Sequence, residues 1–236
     1  MERAAERAAA GLALVEPLPG DPTSFQVKHE DGDVWVLDKP AGLATESVAT
    51  RPSLAALLAR RSPAERVWVV QRLDEATSGL LVMAKNPVAN RALSRAAAEH
   101  RFDRVYTAVV RGAFPDDLDV LDAPLRGRRA RTRVTVVDRF GHLATRLECR
   151  LETGRTHQIR LHCARAGHPL LGDPRHGQRT AWDPPRMALH AAQLGFRHPR
   201  TDRRLSFGSP LPAELEVWLA ALATIVRQAS APDHPR

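Results

Sequence analysis

The segment QRLDEATSG, residues 71–79, places an arginine and an aspartate two positions apart, between two apolar runs. A carboxylate such as that of Asp74, kept ionised and oriented by guanidinium groups, could act as a nucleophile or a general base. An aspartate followed by Thr77-Ser78-Gly79 could also form a turn by bonding its own backbone. The spacing leaves both interpretations of Asp74 open, with Arg72 as the nearest guanidinium in the sequence.

Tyr106, the single tyrosine of the chain, lies in the middle of the apolar segment RVYTAVV. An aromatic residue in such a strand usually packs half buried against its neighbours. If it faces a cleft, the same phenol could stack on an unstacked base and offer it a hydrogen bond. Its position in the sequence does not decide between packing and base recognition.

The segment GRTHQIRLH, residues 154–162, gathers two arginines, two histidines and an amide where a turn passes into a helix. Backbone N–H groups at a helix N-terminus, together with arginine, favour phosphate or carboxylate. The histidines and the cysteine of this region lack the paired spacing of zinc ligands, so no metal site is predicted. We expect a positively charged pocket wall. Its candidate residues are Arg155, His157, Gln158 and Arg160.

A dense basic segment, LRGRRARTR at residues 125–133, holds five arginines. Such a loop is either simply solvated or follows phosphates, and phosphate contacts would give salt-dependent, largely sequence-independent binding. The chain carries a formal net charge of +8, which suits a polyanionic partner and favours RNA or DNA over a membrane. The candidate phosphate ligands in this loop are Arg128, Arg129 and Arg131.

The elements that must position these residues are strands in antiparallel-looking runs, with helices inserted between them. Apolar and alternating segments predict strands at 34–37, 67–70, 79–84, 104–112, 134–138 and 143–152, and two more between 187 and 210. Helices are predicted at 53–61, at 86–100, before Gly167 and at 212–226. This order favours an α+β fold, with a mixed, mainly antiparallel central sheet, flanking helices and an arginine-lined cleft, over a doubly wound sheet.

The two ends of the chain differ in composition from its middle. Residues 1–27 are rich in alanine and then broken by proline and glycine, which predicts a partly flexible arm before a domain at 28–226 and a tail at 227–236. The cysteines, Cys149 and Cys163, fit no pairing pattern, and the longest early apolar run is too short to span a bilayer. We therefore expect a cytoplasmic protein that is not attached to a membrane and acts as a monomer.

Three motifs in a fixed order resemble the RluA-type RNA pseudouridine synthases. They are RLDEATSGLLVMAKN, VYTAVVRG and GRTHQIRLHCARAGHPLLGD, preceded by VLDKPAGL, and the likeness runs from about Val27 to Leu222. The resemblance implies a short, single-domain enzyme that isomerises one uridine of structured RNA to pseudouridine by base flipping. The implied substrate is a stem-loop of ribosomal or transfer RNA.

The resemblance also implies roles for individual residues. Asp74 is the essential catalytic aspartate, Tyr106 stacks on the target uracil, and Arg160 pairs with the aspartate. Arg72 helps to fill the space of the flipped-out base. No cofactor is implied, because the bond that breaks and the bond that forms both lie within one nucleotide. Gln71 departs from the histidine that commonly precedes RLD in this family.

Two other functions are compatible with parts of the sequence. A catalytically idle RNA-binding protein on the same scaffold would be expected to have lost Asp74 or Tyr106, and both are present. A glycoside hydrolase with an aspartate nucleophile would need a second carboxylate, and the sequence offers none at a convincing position. The short N-terminal arm leaves RNA recognition to the catalytic domain, and the loop at 126–133 is the candidate for it.

Overall fold

The structure is a computed structural model that describes residues 24–46, 52–63 and 66–230. Its strands are β1 (Gln26–Glu30), β2 (Val34–Lys39), β3 (Trp68–Val69), β4 (Ser78–Ala84), β5 (Asp103–Arg111), β6 (Val120–Leu121), β7 (Thr132–Phe140), β8 (Ala144–Leu151), β9 (Leu189–Arg197) and β10 (Arg204–Gly208). Its helices are α1 (Leu54–Arg61), α2 (Pro87–Ala98), α3 (Gln158–Arg165) and α4 (Ala213–Ser230). The predicted α+β class is confirmed.

The strands join into one sheet with the order β1-β2-β4-β9-β5-β8-β7-β6, to which β3 adds beside β4 and β10 beside β9. The strand pairs are antiparallel except one. The exception is β4 with β9, which run parallel where Ser78 and Gly79 face His190 and Ala191. The mixed, mainly antiparallel sheet predicted from the sequence is therefore confirmed.

Successive residues of a strand point to opposite faces of the sheet, so each strand supplies two layers of core. On β5, Ala108 and Val110 pack with Ile159 of α3, whereas Val109 packs with Leu222 of α4 on the other face. In the other half of the sheet, α1 and α2 cover opposite faces of β2 and β4 in the same way. Tyr106 packs against the clusters beneath both α3 and α1. The cavity that holds Asp74 and Tyr106 is lined by the loop before β4, the end of α2 and the loop before α3.

Capping side chains fix where two of the predicted helices begin. Ser53 accepts a hydrogen bond from the backbone N–H of Ala56 at 3.2 Å, and Asn86 accepts one from Ala89 at 2.8 Å. Pro87 occupies the first helical position, where its missing N–H costs nothing. α2 ends at Ala98, before the predicted residue 100.

Three predicted elements differ from the structure. The run at 67–70, predicted as a buried strand, pairs over Trp68–Val69 alone and is half buried, because it adds to β4 only beyond the point where β9 leaves it. Strand β1 begins at Gln26, inside the predicted arm. Its residues are mainly polar and alternate between exposed and half buried, so the sequence shows no apolar pattern that would predict a strand. α4 continues past residue 226 to Ser230. Among the described helices, none is long and apolar enough to cross a membrane.

Candidate active site

The loop that carries Asp74 lies between β3 and β4 and is tied to the loop after β2. Thr45 Oγ1 accepts a hydrogen bond from the Leu73 N–H at 3.1 Å and donates one to the Leu73 carbonyl at 2.8 Å. On the other side of the aspartate, the Gly42 N–H donates to the Glu75 carbonyl at 2.8 Å. Asp74 is thus held between two fixed neighbours, which limits the directions in which its carboxylate can point.

Lys39, at the end of β2, further holds the loop after β2 and the Asp74 loop together. Its side chain is fully buried, and its ammonium donates hydrogen bonds to three carbonyls. The acceptors are Leu43 at 2.7 Å, Pro40 at 2.9 Å and Glu75 at 3.3 Å. Burial lowers the pKa of Lys39 to about 7. The motif DKPAGL gives no sign of this role of Lys39, because the three acceptors are backbone groups that no motif displays.

A glycine brings the loop up to the centre of the sheet. Gly79 has φ +109°, and a Cβ at this position would lie 2.3 Å from the backbone oxygen of Ala191. No other residue type allows β4 to approach β9 this closely. Ala191 in turn faces Tyr106 on β5. Because β4 approaches β9 closely at Gly79, the end of the Asp74 loop lies two strands away from Tyr106.

A single buried guanidinium connects two aspartates at the N-terminal end of α3. Arg160 Nη1 donates to Asp74 Oδ2 at 2.7 Å, while its Nε and Nη2 donate to the two oxygens of Asp173, each at 2.8 Å. The side chains of Arg160 and Asp173 are 6% and 0% exposed, whereas Asp74 is 26% exposed. Asp173 therefore fixes the guanidinium from the inside, and Arg160 presents its remaining N–H to the carboxylate that opens to the cleft.

The charges of Asp74, Arg160 and Asp173 stabilise one another. Burial acts to lower the pKa of Arg160, but its hydrogen bonds to Asp173 and Asp74 outweigh burial and raise it. Burial likewise acts to raise the pKa of Asp173, and the Arg160 bond with two backbone N–H groups, from Arg175 and His176, holds it below its usual value. Asp173 was missed in the sequence analysis. The signal available was the aspartate that ends the motif GHPLLGD.

Two further side chains border the Asp74 carboxylate. His157, in the left-handed region at φ +55°, places Nε2 3.7 Å from Asp74 Oδ2. Burial lowers its pKa, so the imidazole is mainly neutral at pH 7. Tyr106 is half buried, and burial raises the pKa of its phenol, which therefore stays protonated. Asp74, His157 and Tyr106 together line a cavity of about 600 Å³, a size typical of ligand sites.

Comparison with known proteins identifies the family. Residues 33–165, more than half of the chain, match the family described as RNA pseudouridylate synthase. The chain belongs to this family. The family and the enzyme class predicted from the motifs, an RNA pseudouridine synthase whose substrate is RNA, are therefore confirmed.

Individual relatives agree with this assignment. The chain is 37% identical to an uncharacterized RNA pseudouridine synthase, YlyB, of Bacillus subtilis, over 83% of this chain and 72% of that protein. It is 37% identical to a ribosomal large subunit pseudouridine synthase D of Nitrosomonas europaea, over 85% of this chain and 66% of that protein. The chain thus spans about two thirds of the length of this second relative. The solved structure of human RNA pseudouridylate synthase domain containing 1 shares the fold, with a TM-score of 0.69 at 23% identity over 92% of this chain and 99% of that chain.

In this pseudouridine synthase, the two predicted arginines beside the aspartate occupy the rim of the cavity. Arg72 is exposed and forms an ion pair with Glu46 at 3.0 Å. Arg155 lines the same cavity, and its Nε donates to the backbone carbonyl of Arg129 at 3.1 Å. Both guanidinium groups lie where an entering nucleotide would pass, so the role predicted for them stays a prediction that the geometry permits.

Gln158, at the start of α3, lines a small cavity with Asp74 and forms several hydrogen bonds inside the protein. It is buried, and its Oε1 accepts hydrogen bonds from Thr153 Oγ1 at 2.7 Å and from the Arg155 N–H at 3.0 Å. Its Nε2 donates to the Arg131 carbonyl and to Thr132 Oγ1, each at 3.0 Å. These contacts lie within the protein and hold the loop before α3 against β7. A contact between Gln158 and RNA stays a prediction.

The arginine loop joins the site through Arg155. Leu125 and Arg128 close the loop by two backbone hydrogen bonds, of 2.9 and 3.0 Å. A second cavity, of about 350 Å³, lies between this loop and Arg155. Arg128 and Arg129 are exposed, whereas Arg131 is partly buried and lies 3.4 Å from Glu152. The candidate phosphate ligands Arg128 and Arg129 are thus available to an RNA, while Arg131 shares the carboxylate of Glu152 with Arg133.

Gln71, the residue that replaces the usual histidine, lines the active-site cavity. Its Nε2 is buried and has no hydrogen-bond partner among the described residues. A buried amide donor without a partner costs free energy, and Gln71 carries this cost in the wall of the cavity.

Proposed function

We propose that this protein isomerises a specific uridine of ribosomal RNA to pseudouridine, acting as a monomer in the cytoplasm. The relatives named ribosomal large subunit pseudouridine synthase D support ribosomal over transfer RNA. The observation that carries the catalytic assignment is the carboxylate of Asp74, bonded to a guanidinium that Asp173 fixes from behind. A carboxylate held in this way has a defined direction.

The reaction needs no atom from outside the nucleotide except exchangeable protons. The bond between uracil N1 and C1′ of the ribose breaks, the uracil turns within the site, and a bond forms between C5 and C1′. The hydrogen on C5 leaves to solvent and N1 gains a proton, so the product is an isomer of the substrate. Asp74 assists as nucleophile or base. Arg160 and His157 both approach its Oδ2, which leaves Oδ1 to meet the substrate.

The surrounding residues hold the flipped nucleotide. The uracil stacks on the Tyr106 ring, and Arg72 at the rim fills part of the space that the base leaves in the RNA. Extruding one base costs a few kcal/mol, which contacts to the base and the phosphates must offset. Arg155 and the exposed arginines of the loop at 126–133 supply such contacts to the phosphates.

The reaction is tested with unmodified large-subunit ribosomal RNA, and in parallel with transfer RNA, transcribed with tritium at uridine C5. The wild-type protein is expected to release tritium to water, and Asp74→Asn to release none. Asp202→Asn, an exposed aspartate that pairs with Arg197 outside the site, is the matched control and should retain full activity. Release from transfer RNA alone would contradict the ribosomal target, and free uracil as the product would contradict isomerisation.

A further inference from the structure

One arginine of the active-site cavity has no role in the reaction described so far. Arg104 lies two residues before Tyr106 on β5. Residues two apart on a strand project from the same face, about 7 Å from each other. Both side chains line the cavity that contains Asp74. A group bound by Arg104 would therefore lie beside a base stacked on the tyrosine.

The guanidinium of Arg104 lacks a protein partner among the described residues. Its Nε is buried without a hydrogen bond, and burial lowers its pKa. The nearby acidic groups are engaged elsewhere: Asp103 pairs with Arg204, and Glu152 pairs with Arg133 at 2.6 Å. A buried positive charge without a counter-ion is costly. An anion that enters the cavity would remove this cost.

The backbone at the start of the GRTHQIR motif makes room for this side chain. A Cβ on Gly154 would lie 2.5 Å from Arg104 Nη1. Gly154 has no positive φ, so it is the absence of a side chain, not the backbone conformation, that the arginine requires. The guanidinium consequently lies against the loop that leads to His157 and α3.

A neighbouring cavity extends from the same arginine away from Asp74. It measures about 370 Å³ and shares Arg104, His100 and Leu151 with the active-site cavity. Its walls carry three more arginines. These are Arg129, Arg131 and Arg150, and the two acids of the same wall, Asp103 and Glu152, pair with Arg204 and Arg133. Arg104 thus stands at the junction between the catalytic cavity and a second basic space large enough for a further part of the substrate.

We propose that Arg104 binds the phosphate that links the target uridine to an adjacent nucleotide, and that this nucleotide lies in the neighbouring cavity. The proposal rests on the RNA isomerisation proposed above. A guanidinium binds phosphate through two parallel hydrogen bonds, which fixes orientation as well as position. The phosphate supplies the counter-charge that the protein lacks, and it fixes the uridine with its base over Tyr106.

The first test compares Arg104→Met with Arg197→Met, which removes an equal charge from an exposed strand residue outside the cavities. For Arg104→Met, KM for the tritium-labelled ribosomal RNA is expected to rise about tenfold to a hundredfold, the loss of one charged hydrogen-bonded contact, with a smaller change in kcat. The slope of log affinity against log salt should become shallower by about 0.7 to 0.9. The melting temperature of the RNA-free protein should rise, because an uncompensated charge is removed.

A second variant and a modified RNA separate phosphate binding from a structural role. Gly154→Ala keeps the charge but displaces the guanidinium, so it should raise KM in the same direction. A methylphosphonate next to the target uridine should weaken binding to the wild type but not weaken binding to Arg104→Met further. An unchanged salt slope, or a lower melting temperature with an unchanged KM, would overturn the proposal. Wild-type protein without tritium release would instead overturn the proposed reaction, and the salt slope would still test Arg104.

Discussion

Replacement of Asp173 by asparagine tests whether the site is built around the buried guanidinium. Asparagine keeps the size of the side chain and one oxygen, but it places an NH₂ group against an N–H of Arg160 that now donates to a carboxylate oxygen at 2.8 Å. Breaking a buried ion pair on one side costs about 3–5 kcal/mol. Because Asp74 still compensates part of the charge of Arg160, we expect the lower end, about 3 kcal/mol.

The loss is measured as the free energy of unfolding in urea, with the midpoint and the slope determined separately. For a chain of this size, about 3 kcal/mol corresponds to a fall in melting temperature of roughly 6–12 °C. Turnover should fall at least about tenfold, since a guanidinium that loses its anchor misplaces the carboxylate. KM for the RNA should stay nearly constant, because the Asp173 side chain is 0% exposed and does not reach the substrate.

Two other variants, Asp202→Asn and Asp74→Asn, serve as controls for Asp173→Asn. Asp202→Asn breaks an exposed pair, with side chains 59% and 77% exposed, and should change stability by less than about 1 kcal/mol. Asp74→Asn should also destabilise the protein less than Asp173→Asn, because Arg160 keeps both of its inner bonds. If Asp173→Asn unfolds at the same urea concentration as the wild type, or if Asp74→Asn is the less stable variant, the inner aspartate does not anchor the arginine.

Further predictions follow from the same geometry. Gly79→Ala should lower the free energy of unfolding by more than about 3 kcal/mol, because its Cβ would overlap the Ala191 backbone; a well-folded variant in a urea titration would contradict the close approach. Arg160→Ala should cut turnover far more than RNA affinity, and equal losses in tritium release and binding assays would indicate a phosphate ligand instead. Lys39 has a pKa of about 7 when folded and 10.5 as its ordinary value, so the unfolded chain binds the extra proton between these pH values. The free energy of unfolding of the wild type, relative to that of Lys39→Met, should therefore rise by about 1.4 kcal/mol per pH unit from pH 7.5 to 9.5. Urea titrations in which this difference between the two proteins stays constant would refute the lowered pKa of Lys39.

The contact between Asp74 and Arg160 was predictable because both residues lie in dense motifs. Asp74 and Arg160 stand 86 positions apart and form the contact that the motifs imply. The start of α2 at Asn86 and Pro87 follows from local chemistry, and the structure confirms the Asn86 cap. Where the signal lies within a few residues, or in a motif whose order is fixed, the sequence sufficed for the prediction.

The residues that were missed act through contacts between distant segments. Lys39 bonds to carbonyls on two loops, and Asp173 acts on Arg160 from a turn beyond α3. Arg104 could not be distinguished from any other strand arginine in the sequence. Its lack of an acidic partner is seen only once the positions of the surrounding acidic residues are known. The hydrogen bonds of Gln158 to Thr153 and to β7 were likewise not predictable, because they join segments that its motif does not contain.

The position of β9 in the sheet has a consequence for the order in which the molecule is built on the ribosome. In the described sheet, β1, β2 and β4 lie on one side of β9 and β5, β7 and β8 on the other, so the hydrogen-bonded ladder between the two groups runs through β9, which begins at Leu189. A growing chain can pair the strands of each group as they emerge, since domains form in the order of synthesis. The groups can join through β9 only after most of the chain has been made. A nascent chain that stops before residue 189 therefore carries Asp74, Tyr106, Arg160 and Asp173 but lacks the strand that brings the aspartate loop to the tyrosine. Catalytic competence should appear late in translation and abruptly, rather than growing with chain length.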